Sequence, residues 1–159
     1  MSDQILRKEL VNLLVKKQAN LNFEDAVKDF PESHINTFPE GCPYSFWHVL
    51  EHLRICQRDI LDYITSDDYH WPNFPDDLWP IKDAGTDLAG WQQTVNAFLT
   101  DQQSLVDIVR HSKTDLFAPL KNSGEHKHSI LREINIIAEH NAYHTGAFVI
   151  MRQSLNIWP

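Results

Sequence analysis

The stretch from Ser129 to Leu155 does most to limit what this chain can fold into. Its apolar residues recur with a helical period at Ile130, Ile134, Ile137, Phe148, Met151 and Leu155, and no proline interrupts it. A helix of that length, apolar along one stripe, buries the stripe against other helices. His140 and His144 stand four residues apart within it, which puts both rings on one face, one turn from each other. His144 and Asn141 fall on the inward stripe, and His140 lies at its edge. Two imidazoles facing a bundle core need a partner, and a metal ion is one natural partner.

Three further long helical segments precede this one. Ser2 to about Gln18 carries Ile5, Leu6, Leu10, Leu13, Leu14 and Val15 as a broad apolar face. Phe23 to Phe30 suits a short helical turn, and Pro31, Pro39, Gly41 and Pro43 then mark an irregular stretch. Ser45 is an N-cap candidate for a helix whose buried stripe is Phe46, Val49, Leu53, Cys56, Ile60 and Ile64. Thr86 or Asp87 caps another, Leu88 to about His111. Residues 65–86 hold Pro72, Pro75 and Pro80 among Trp71, Phe74 and Trp79, without period. A connection that long is unusual; its aromatics are expected to pack down on the bundle. Residues 113–127 form a second long connection. The expectation is an all-α four-helix bundle, one domain over 1–159, with two long crossover connections rather than simple up-down-up-down order.

Composition enters mainly through what it excludes. The net charge of −8 with no basic stripe argues against a phosphate-backbone binder. No apolar run reaches the ~18–20 residues of a membrane span. The start, MSDQILRKEL, has no apolar signal-like core, so a cytoplasmic location is expected. Cys42 and Cys56 lack any ligand spacing and read as reduced thiols.

The helix after Ser45 carries a second i, i+4 pair, His48 and His52. His52 abuts the buried stripe, and His48 lies in the first turn; spacing alone leaves open which of them joins His140 and His144. Three imidazole nitrogens suit zinc, nickel, iron or copper and leave an open coordination position. The competing reading makes these core-edge histidines, hydrogen-bonded to Glu51, Glu139, Asn141 or backbone. It explains one buried histidine cheaply and three convergent ones less well. His126 and His128 are expected to be exposed loop residues, and His34, His70 and His111 have no spaced partner. Asn141 follows His140, so the HExxH pattern is absent, as are GxSxG, Walker A and GxGxxG motifs. Ligand histidines must be neutral, so metal affinity is expected to fall below their ordinary pKa of ~6.5.

The segment Pro39–Ile64, with SFWHVLEHL at its core, resembles the second helix of the DinB-like (damage-inducible, YfiT-like) family. AEHNAYHTGAFVIMRQSL resembles that family's last helix, where an HxxxH pair is followed by Gly. Most of the chain shares the likeness. It departs in having Ala147 after Gly146, where Gly-Gln is common. The resemblance implies an up-down-down-up bundle, often dimeric, so a homodimer is expected. It also implies three histidine ligands, His52, His140 and His144, for a divalent metal, commonly nickel or zinc.

For activity, the resemblance implies a metal-dependent thiol S-transferase or isomerase acting on a small molecule, with a low-molecular-weight thiol as co-substrate. A hydrolase using a metal-activated water and a non-catalytic metal-binding stress protein are the alternatives. No general acid or base is assigned. Tyr44, Glu51 and Arg152 are candidates to support the ligands, by sequence proximity alone. Neither DNA nor a membrane is an expected partner.

Overall fold

The computed structural model describes residues 2–158. Its long helices are α1 (Ser2–Val15), α3 (Phe46–Thr65), α4 (Leu88–Arg110) and α5 (Ile130–Ser154), with a one-turn α2 (Phe23–Val27) between the first two. The described residues hold no strand, and the architecture is an all-α bundle. Local chemistry sets the helix starts. Ser45, Asp87 and Ser129 stay extended and accept the backbone N–H groups of His48, Gly90 and Arg132, satisfying donors a helix start would leave unpaired. Asn156, at φ 56, turns the chain out of α5.

Hydrogen bonds between helices reveal their relative directions. Arg7 donates to the carbonyls of Val109 and His111, while Gln102 donates to that of Leu14, so α1 and α4 run antiparallel. Glu51 meets Thr94, Gln57 meets Phe98, and Arg58 meets Asp101, so α3 and α4 run parallel. His52 faces His144 and Tyr63 faces His128, so α3 and α5 run antiparallel. These senses trace an up-down-down-up path. Parallel α3 and α4 oblige residues 66–87 to travel back along the bundle, which is why that connection is long.

The core has two ends of different character. Leu10, Val11, Leu14, Leu105, Val106, Val109, Ile134 and Ile137 form an aliphatic end. Phe23, Phe46, Trp91, Phe98, Phe148 and Met151 form an aromatic one. The α1 face is narrower than its sequence suggests: Ile5 and Leu13 are 56% and 46% exposed, while Val11 is buried. The long connection also packs unevenly. Trp79 lies on the bundle, stacked on Tyr44 and His52, but Phe74 is 85% exposed and Trp71 62%.

Candidate metal centre

His52 sits mid-way along α3, and His140 and His144 mid-way along α5, where the two ends of the core meet. The Nε2 of His52 is 3.2 Å from that of His144 and 3.0 Å from that of His140. All three ligand nitrogens lie within 4.8 Å of one another, and the group could hold a metal ion. Nitrogens bound tetrahedrally at zinc-like lengths would stand about 3.3 Å apart, close to the two separations that His52 makes.

The surroundings aim the rings. The carbonyl of Leu78, in the long connection, lies 2.7 Å from His52 Nδ1. A proton on Nδ1 donates to that carbonyl and leaves the Nε2 lone pair directed at the other two histidines. Trp79 stacks on the His52 ring at 3.6 Å and 5° and stands edge-on to His144 at 5.8 Å. Behind α5, Asn141 donates to the buried Gln57, which donates to the carbonyl of Phe98. His140 Nδ1 is buried with no partner in hydrogen-bond geometry.

Burial keeps these rings neutral. It pushes His52 down from 6.5 to about 4, with the Leu78 carbonyl opposing and the His140 charge adding. It pushes His144 down to about 3, with the charges of His140 and His52 adding. His140 is lowered by burial too, against the adjacent Asn141 amide. The expectation that affinity would fall from pH ~6.5 downward therefore needs correction: these rings leave water and lose their protons earlier than free imidazole does. Cys56 lies 3.5 Å from His52 Nδ1, and burial raises its thiol to about 12, so it stays protonated in the metal-free protein.

The structure separates His52 from His48. Both His48 ring nitrogens are used, Nδ1 at 2.6 Å from the Ser45 hydroxyl and Nε2 at 3.1 Å from the Ile81 carbonyl. None of the three suggested supporting residues hydrogen-bonds to the triad. Tyr44 lies beyond Trp79. Glu51 is held by Arg54 and Thr94. Arg152 is buried on the carbonyls of Ala26, Lys28 and Ile157. Among the outlying histidines, His126 is exposed as expected, but His128 is half-buried and bonded to the Tyr63 hydroxyl. Sequence reasoning missed Leu78 and Trp79 as parts of the site. The Trp-Pro at 79–80 was the only signal, and it does not say which ring an aromatic will cover.

No helix among the described residues is long and apolar enough to cross a membrane. Neither the curated proteins nor the solved structures yielded a match to the chain. The family comparison is positive: the model of the DinB superfamily matches residues 17–148, a span that takes in α3, α4 and all three histidines. With that match over most of its length, the chain belongs to the DinB superfamily.

Proposed function

We propose that His52, His140 and His144 bind a divalent ion, nickel or zinc, in a metal-dependent enzyme that transfers a low-molecular-weight thiol to a small electrophile. The single observation that carries this reading is the convergence of three neutral Nε2 atoms from two helices. Neutral imidazoles suit both metals. A bound ion would supply Lewis acidity, lowering the proton affinity of a group held against it. His52, held by Leu78 and Trp79, keeps its Nε2 aimed, and the buried Gln57 ties α3 to Asn141 of α5 beside the histidines.

The neighbourhood favours a thiol over water as nucleophile. The histidine group includes no carboxylate. Three carboxylates on the adjoining elements are engaged elsewhere: Glu51 with Arg54, Asp59 with Tyr69, and Asp77 with Asn73. Hydrolysis gains from a general base beside the nucleophile, whereas a thiol's low proton affinity makes it less dependent on one. Cys42 and Cys56 are free thiols, which fits a reducing, cytoplasmic setting.

The test is direct. Purified protein is analysed for metal, then assayed with a small thiol and an electrophile against ester or amide hydrolysis. Metal-dependent thiol consumption is expected, lost with bound metal in His140→Ala and His144→Ala. Hydrolysis without thiol use would favour the hydrolase, and metal binding with no turnover the non-catalytic reading. Unchanged metal content in both variants would remove the proposed ligand set.

A further inference from the structure

Two histidines on α3, one turn apart, reach the same short stretch of the 66–87 connection. His52 Nδ1 meets the Leu78 carbonyl at 2.7 Å, and His48 Nε2 meets the Ile81 carbonyl at 3.1 Å. Between these anchors Trp79 stacks on His52 at 3.6 Å and on Tyr44 at 3.9 Å. Two rings cannot share one face of an indole at those separations, so Trp79 is sandwiched between them. The chain is thus pinned on both sides of the residue that covers the His52 ring.

His48 is itself fixed. Its Nε2 carries the proton given to Ile81, so its Nδ1 accepts from the Ser45 hydroxyl at 2.6 Å, while Ser45 Oγ accepts the His48 backbone N–H at 3.2 Å. Both residues are 1% exposed. Ring orientation and tautomer are therefore dictated from the N-cap of α3 outward. Ile81, by contrast, has a side chain 79% exposed, and its carbonyl, which also accepts the Ala84 N–H at 2.9 Å within the loop, meets the bundle at His48. Without His48, the segment would keep its seat through His52, the Tyr44–Trp79 stack and the Leu78 side chain packed on the aliphatic core, with nothing from α3 holding it beyond Trp79.

We propose that His48 is a positioning residue of the metal centre: by holding the Ile81 carbonyl it seats residues 78–81, so that the Leu78 carbonyl and the Trp79 ring keep His52 protonated on Nδ1, with Nε2 presented to a divalent cation. The inference rests on the reading of His52, His140 and His144 as metal ligands. Partners that orient ligand histidines typically change metal affinity 10–100-fold, and that range is expected for loss of His48, a residue that touches no metal.

The experiment combines zinc titration against a competing chelator with long-range proton–nitrogen spectra of the histidine rings in the full-length, metal-free protein. Wild type is expected to show His52 protonated on Nδ1 and His48 on Nε2. His48→Leu should bind zinc about 10–100-fold more weakly, and its metal-free His52 should become a mixture of tautomers. His48→Gln keeps an amide donor for Ile81 and should recover most of both properties; a general packing defect would not be rescued this way. Wild-type protein that binds no zinc would overturn the metal reading, and the His52 tautomer in His48→Leu would still decide the role of His48. Wild-type affinity and tautomer in a folded His48→Leu would overturn this proposal and leave the metal reading standing. Should His48→Leu fail to fold, His52 protonated on Nε2 in metal-free wild type, or no difference from wild type in His48→Gln lacking the Ile81 bond, would overturn it.

Discussion

Acidification from about pH 7 to about pH 5 should cost this centre little metal affinity. Each ligand ring must be neutral to bind. A ring at the ordinary 6.5 weakens binding about 25-fold over that interval, and three such rings about 10,000-fold. Burial changes the arithmetic. With His52 at about 4 and His144 at about 3, both stay neutral at pH 5 and together account for less than about 1.5-fold. His140 is lowered as well, and even at 6.5 it would contribute no more than the single-ring factor. The expected fall is therefore at most about 30-fold. Zinc competition against a chelator, corrected for the chelator's own protonation, measures it at both pH values. A fall approaching 10,000-fold would refute the reasoning, because it would mean the rings titrate as if in water.

Two further outcomes follow from the same structure. In the metal-free protein, His52 and His144 have folded pKa values below the unfolded 6.5, so the unfolded chain binds more protons between those limits. Stability should be full above pH ~6.5 and decline as pH falls towards ~4, by at most ~1.4 kcal/mol per pH unit for each ring and less for the solvent access His144 retains; urea midpoints across that range, flat with pH, would contradict this. Arg152→Ala should destabilise the fold by about 3 kcal/mol, because the buried guanidinium serves the carbonyls of Ala26, Lys28 and Ile157. A shift under about 1 kcal/mol in chemical denaturation would show those carbonyls find other donors.

The helices were legible because their signals are local. Ser45 caps its helix as expected, and of Thr86 and Asp87 it is Asp87 that caps the next, while i, i+4 spacing alone puts His140 and His144 on one face. The parallel course of α3 and α4 was foreshadowed by the length of residues 66–87. The limits were equally physical. Apolar period does not distinguish a side chain facing the core from one beside it, so Ile5 and Leu13 proved exposed. Proximity in sequence proved an uneven guide to what supports the ligands, since Glu51 and Arg152 are bonded elsewhere and Tyr44 reaches His52 only through Trp79.

By itself, then, the sequence determined the helical bundle, the pair of histidines on its last helix and the likeness that singled out His52. Only the tertiary structure decided how that third histidine is aimed. His48 and His52 share a helix and a spacing, and they differ because one ring nitrogen of His52 faces His140 and His144 while both of His48 are taken, by Ser45 and Ile81. That difference lies in backbone carbonyls of a connection without period. Carbonyls are common to every residue, so nothing in the side-chain pattern can announce which of them will face an imidazole.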